Sequence, residues 1–296
     1  MKIFKEIKKK LSPLSITLFI VLVAYVFFMI ALFSWAFLTA SKSAREYNGS
    51  MMEEYGNVVG FPEKFKFFQN IKGINKAFAG FTLLEMALYT ILYSLGCSVF
   101  KVVVTCVVAY LCARYNNWFS RLVYSVVVVT MIIPIVGTQA AEIQMAKDLK
   151  IFDHIWGMWL MRSNFLGMYY LVFYSVFKSM PAGYYEAAKI DGANDWQIMC
   201  NIAFPLVKNT FLSIALILFI EYWNDYLMPN LYLPSFKTLS LALYHQSQGQ
   251  YMSNDTFEAK PYVMTTVIVI TVPVIALFIA FSKRLMGNLS VGGLKG

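Results

Sequence analysis

Few side chains in this sequence could do chemistry, and their spacing limits what that chemistry is. Glu221 and Asp225 stand four residues apart. On a helix that spacing puts two carboxylates on one face, an arrangement for paired acid–base work. Trp223 between them, and the apolar run before them, favour the solvated outer end of a helix instead. His154 and His245 are the only histidines, and neither has a cysteine or second histidine nearby in sequence. Zinc ligation and histidine-activated nucleophilic attack are therefore not indicated. Cys97, Cys106, Cys112 and Cys200 form no C-x-x-C pair, and three of them share one apolar run, so free packed thiols are expected. The string VGGLKG at the C-terminus combines glycine with lysine, but G-x-x-x-x-G-K-[ST] occurs nowhere in the chain. No loop able to cradle ATP is predicted. The chain is expected to be no enzyme, with no catalytic residue, no metal ligand and no cofactor of its own.

Polar residues are concentrated in one further place, 181-PAGYYEAAKIDGANDWQIMCNIAFPLV-207. Good helix formers around Glu186, Ala187 and Ala188 predict a helix over 183–190, ended at Asp191-Gly192 by a residue that tolerates positive φ. Asn194 and Gln197 have capping-box spacing and predict a second helix. In that helix Trp196, Met199 and Ala203 fall on one face at regular spacing, and Pro205 stops or redirects the chain. Such a segment could rest as an amphipathic linker on a membrane interface. The small pair Ala187-Ala188 beside Glu186 fits a second use, since small residues admit a partner surface and the acid can pair with an arginine on it.

The elements that must hold this segment are apolar. Hydrophobic residues make up 59% of the 296 and charged residues 14%, with a net charge of +9. Runs over 14–38, 86–113, 122–141, 155–177, 206–228 and 262–282 approach the roughly 20 residues that cross a hydrocarbon core. The reading is an all-α polytopic membrane protein with six transmembrane helices. Pro134 with Gly137 interrupts the third run and Pro273 the sixth. The basic N-terminus followed by a long uncharged stretch is an uncleaved first span rather than a signal peptide. With the N-terminus inside, thirteen Lys and Arg fall on the cytoplasmic side and ten on the longer exterior segments. That bias places both termini and segment 181–207 in the cytoplasm of a multi-pass bacterial membrane protein. The basic residues flank spans and form no face interleaved with stacking aromatics, which excludes nucleic-acid binding. Trp35, Trp156, Trp159 and Trp223 then lie near the outer interface. The first exterior segment, with FPEKFKFFQN, reads as a short amphipathic cap.

The pattern Glu186-Ala187-Ala188, Gly192, Ile202 and Phe204-Pro205 resembles the signature loop of ABC-importer permeases, with Phe where Leu is usual. The fuller EAAKIDGAND resembles the carbohydrate, maltose-permease (MalG-like) branch. Ala109-Tyr110 through Ala113-Arg114 resembles the A-Y-A-x-x-R of the second span. Met131 to Pro134 resembles M-x-x-P, Trp223-Asn224-Asp225-Tyr226 resembles W-N-x-F, and LSVGGLKG resembles the usual ending of this subunit type.

The resemblance implies a type I ABC-importer permease fold. It assigns ATPase coupling to Glu186, Ala187, Ala188, Asp191, Gly192, Ala193, Ile202 and Pro205. It also implies two ATP-binding subunits carrying ATP and Mg, a second related permease forming a heterodimer, an extracellular solute-binding protein and a carbohydrate substrate. The organisation it gives is 1–85 (N-terminus, first helix and exterior segment), 86–282 (permease core with the coupling loop) and 283–296 (tail). Lys101 and Arg162 depart from the family pattern. Lys101 reads either as a snorkelling or helix-paired cation or as a pathway residue accepting an anionic sugar such as a uronate. Asn224, and Tyr232, Tyr244 and Gln248 in the exterior loop 229–260, are the further candidates for pathway or binding-protein contact. Two other readings stay open. One is an ABC permease for a non-sugar solute. The other is an ion-coupled secondary transporter, which the intramembrane charges Lys101, Arg162, Glu221 and Asp225 would serve.

Overall fold

The computed structural model describes residues 13–49, 56–77, 80–133, 137–248 and 260–289. The basic N-terminal run, Pro134, residues 249–259 of the exterior loop and the tail beyond Leu289 lie outside the described residues. Among the described residues every element is helical, as the composition predicts. Pro13–Ala40 (α1), Leu83–Arg114, Asp195–Trp223 and Lys260–Phe281 are long and apolar enough to cross a membrane, and Trp118–Ile132 is a shorter apolar helix.

The chain divides into two compact units. The first comprises residues 1–80 and 245–271. Here α1 ends at Ala40, and short helices Ala44–Asn48 (α2) and Phe67–Ala77 (α3) follow. A helix C-terminus leaves carbonyls without intrahelical partners. The Asn70 amide of α3 donates to Ala40 O at 2.8 Å and Lys42 O at 2.9 Å, and the Thr265 hydroxyl also reaches Ala40 O, at 3.2 Å. Lys42 is buried, and its ammonium donates to Asn57 O at 2.7 Å and Val58 O at 3.2 Å. In α3 the inward residues Asn70 and Ile74 are one turn apart, while Phe68 is exposed. The exterior segment, expected to be a short amphipathic cap, thus holds an amphipathic helix that begins within FPEKFKFFQN.

The second unit comprises 81–244 and 272–296, and its hub is Leu83–Arg114 (α4). Thr82 and Glu85 form a capping box, so α4 starts three residues before the predicted span. Its buried stripe runs Met86, Thr90, Tyr93, Cys97 at alternating spacings of four and three, one face of a 3.6-residue helix. Without a hydrophobic drive between helices in lipid, close backbone approach must come from small residues. Gly96 supplies it. The indole of Trp159 lies where a Cβ would stand and donates to Leu92 O at 3.1 Å. All four cysteines are unbridged.

Trp118–Ile132 (α5) is capped by the Asn117 side chain accepting from Ser120 N, and Gln139–Asp148 (α6) follows. The fourth predicted span is not one helix. Ile155–Arg162 (α7) and Met168–Lys178 (α8) are separated by 163–167, where Gly167 has φ +122°. Only glycine adopts that conformation without cost, and the break puts Arg162 in the last turn of α7. Then come Ala182–Ile190 (α9), Asp195–Ile198 (α10), a π turn Met199–Ala203 and Phe204–Trp223 (α11). Pro205 was expected to stop or redirect the chain, yet α10 to α11 is continuous. Proline lacks the N–H that would bond to residue 201 and crowds that carbonyl. The wider π turn just before it accommodates both.

The fifth span ends at Trp223, short of the predicted 228, and gives way to Leu227–Tyr232 (α12) and Leu239–Ser247 (α13). Lys260–Leu289 (α14) runs unbroken through Pro273, which therefore does not interrupt the sixth span.

Candidate functional site

Two regions of the second unit carry functional side chains, one at each end of α4. The first is built on 182–205. Pro181 fixes the entry to α9, and Gly192 at φ +79° closes it, with Asp191 N bonded to Ala187 O, Gly192 N to Lys189 O and Ala193 N to Ala188 O. Asn194 and Gln197 then form the expected capping box of α10.

The two alanines part company. Ala188 is buried in the core and Ala187 faces out beside Glu186, so one small residue of the pair, not both, lies on the open face. Ile190 is 86% exposed and Trp196 69% exposed. Trp196 thus leaves the face it was expected to share with Met199 and Ala203, both of which are buried. Trp196 precedes the π turn, and in α10 it stands two positions, about 200° of helix rotation, from the buried Ile198. Asp191 and Pro205 are exposed, while Ala193 and Ile202 are half-buried.

This surface is tied to the hub from beneath. The Arg114 guanidinium lies 4.2 Å from the centroid of the buried Tyr185 ring. The Tyr185 hydroxyl donates to Met180 Sδ at 3.4 Å, and Tyr110 packs edge-on against Phe177 and Phe204. Burial pushes the Tyr185 phenol up, against the pull of Arg114. Burial together with a hydrogen bond to Asp195 does the same for Tyr115. Both stay protonated as donors. The motif at 109–114 therefore supplies the two α4 side chains, Tyr110 and Arg114, that meet α8, α9 and α11.

The second region lies about 30 Å away along α4, the rise from Tyr93 to Arg114. Asp225 was expected at a solvated helix end. Instead its Oδ2 accepts from Tyr93 at 2.7 Å and pairs with Arg162 Nη2 at 3.4 Å. Its Oδ1 accepts from Met228 N at 3.1 Å. Glu221, one turn earlier, is exposed, and Lys101 is half-buried on α4.

Beside the ion pair is a cavity of about 350 Å³. Thr138, Gln139, Glu142, Arg162, Asn164 and Tyr232 line its polar part, and methionines of α6, α7 and α12 line the remainder. Thr138 Oγ1 and Tyr232 OH both donate to Glu142, at 2.7 and 3.1 Å. Burial and Glu142 push the Tyr232 phenol up to about 12. Asp153 holds the neighbouring loop by accepting from Ser235 N at 3.0 Å and Ser235 Oγ at 2.6 Å.

Of the candidate pathway residues, only Tyr232 lines this cavity. Asn224 is exposed and folds back to donate to Ile220 O at 2.8 Å. Tyr244 stacks on Tyr226 with centroids 4.5 Å apart, and Gln248 is exposed. Sequence reasoning singled out Arg162 and Asp225 separately and missed that they are partners. The signal was present, because a cation and an acid placed in otherwise apolar runs each need a counter-charge.

The sequence model of the family described as "Binding-protein-dependent transport system inner membrane component" matches residues 105–289. The diacetylchitobiose uptake system permease protein NgcG of Streptomyces coelicolor is 27% identical over 186 residues, 62% of this chain and 61% of that protein. The melibiose/raffinose/stachyose import permease protein MelC of Bacillus subtilis is 26% identical over 191 residues, 64% of this chain and 67% of the relative. The chain spans about three-fifths of the length of the first of these. A solved chain of a bacterial ABC transporter involved in the import of the acidic polysaccharide alginate superposes with a TM-score of 0.74 over 91% of this chain and 95% of its own, at 20% identity, which establishes the shared fold. With a family match over residues 105–289, more than half of the chain, the chain belongs to the binding-protein-dependent transport system inner membrane components.

Proposed function

We propose that this chain is one permease subunit of an ATP-driven importer of oligosaccharide, coupled to its ATPase through 182–205. The observation that carries the reading is the open face of that segment. Glu186, Ala187, Ile190 and Trp196 are all exposed on a short helix pair pinned to α4 through Arg114 and Tyr185. A large exposed Ile and Trp rimmed by charge mark an interaction surface. A helix held from beneath can pass a push to the transmembrane core.

In this reading ATP and Mg sit on two partner subunits, whose closure draws the segment and its counterpart on a second, related permease together. Both termini and the coupling segment are cytoplasmic. Asp191 and Gly192 shape the turn, and Ala193, Ile202 and Pro205 set the path into α11. Tyr244 and Gln248 lie on the side that would meet an extracellular binding protein, and Lys101 and Asn224 remain candidate pathway residues. The sugar class is supported by what NgcG and MelC are named for.

The test is site-directed cross-linking from Ile190→Cys in native membranes with a short bifunctional thiol reagent. A product containing an ATP-binding subunit, lost on ATP hydrolysis or shifted by nucleotide, is expected. Reaction only with lipid or small reagents would refute the coupling surface.

A further inference from the structure

The cavity between α6, α7 and α12 lies apart from segment 182–205, and its lining is partly polar. Its volume of about 350 Å³ falls at the lower end of the roughly 300–1,000 Å³ typical of small-molecule sites. One sugar unit fits where a long chain does not.

Its charges are already matched or negative. Asp225 neutralises Arg162, so the guanidinium is a donor without a full uncompensated charge. Glu142 contributes a carboxylate to the wall and is held there by Thr138 and Tyr232, which use up two donors without supplying a cation. An entering carboxylate or phosphate would meet Glu142, and among the described residues that line the cavity the one cation, Arg162, is already paired with Asp225. A neutral hydroxyl group meets no such penalty, because it donates and accepts at once. The guanidinium has five N–H donors. Asp225 engages one end of it, its enclosed Nε–H has no partner, and the side chain is 26% exposed. Asn164, exposed at the same wall, offers both an acceptor and a donor. The methionines supply soft apolar surface against which the C–H face of a ring can lie.

We propose that this cavity is a binding site for an uncharged, polyhydroxylated sugar ring, with Arg162 donating to ring hydroxyls and Glu142 accepting from them. The assignment rests on the importer reading and narrows its substrate to neutral saccharides. It sets this chain apart from the alginate transporter whose fold it shares, and it opposes a uronate-accepting role for Lys101.

The experiment uses vesicles carrying the complete transport assembly. Uptake of diacetylchitobiose, melibiose and raffinose is compared with uptake of alginate oligosaccharides. At least one neutral probe is expected to exceed alginate by about tenfold or more, and Glu142→Gln should cut that ratio by about tenfold, the effect of one charged contact. The ratio is internal, so loss of folded protein does not mimic it. Parity between alginate and the neutral probes, or an unmoved ratio in Glu142→Gln while ATP-driven uptake persists, overturns the cavity assignment and leaves the importer standing. Saturation-transfer NMR of the same sugars with the full-length chain in detergent decides the cavity without any ATPase. Signals from neutral sugars over alginate support it even if ATP fails to drive uptake, and that failure would count against the importer alone. Signals from alginate at least as strong, or from neither class, overturn it.

Discussion

At the scale of single residues, the arrangement that matters most is Arg162, Asp225 and Tyr93. Removing one partner of this half-buried pair leaves the other charge unmatched, whereas removing both can be mild. Tyr93→Phe deletes one hydrogen bond to a carboxylate and should cost about 1–2 kcal/mol, read as a lower unfolding temperature in detergent. Arg162→Gln and Asp225→Asn should each destabilise, and the double variant by less than their sum, with a coupling of about 1–3 kcal/mol. Strict additivity would mean that the two do not act as a unit. Half of this was legible from the sequence. Both residues stand out as charges in apolar runs, but their pairing depends on the break at 163–167, which brings Arg162 to a helix end. Asn164 and Gly167 hint at that break, and the surrounding apolar residues mask it. Glu142 carries no such signal, since it sits in a polar stretch where an acid is ordinary.

At the scale of elements, segment 182–205, the proposed coupling surface, was the most readable part of the chain. Its caps and its glycine act locally, through φ at Gly192 and side-chain bonds at Asn194 and Gln197, and local rules are what a sequence displays. The π turn was not readable. It answers Pro205 and the packing of α11 against α4. Continuity of α14 across Pro273 was likewise invisible, because neighbouring packing can absorb the one lost hydrogen bond. Two substitutions test whether the segment acts as a lever. Gly192→Val forces a branched side chain into positive φ at a cost of about 1–2 kcal/mol, although nothing lies within 4 Å to clash with it. Arg114→Ala removes a cation–π contact of about 0.5–2 kcal/mol. Both should leave the chain in the membrane yet lower the sugar imported per ATP hydrolysed. Unchanged stoichiometry in both would show that the tie to α4 is structural only.

At the scale of the molecule, composition and run length gave an all-α membrane protein, and the helices agree. Among the described residues four helices are long and apolar enough to cross a membrane, one of them through a π turn, a fifth is short, and the remaining predicted span is a broken pair. The break at 163–167 lies next to the polar cavity, and the π turn lies within the proposed coupling segment. Non-helical backbone is tolerated at membrane depth only where protein or water covers its polar groups. The most direct measurement of the central claim is to tag this chain, extract it gently from native membranes and identify what accompanies it. The account predicts ATP-binding subunits, a second permease of the same family and a sugar-type binding protein, purifying as one assembly. A chain that purifies alone and carries an ion-driven flux in liposomes would contradict it.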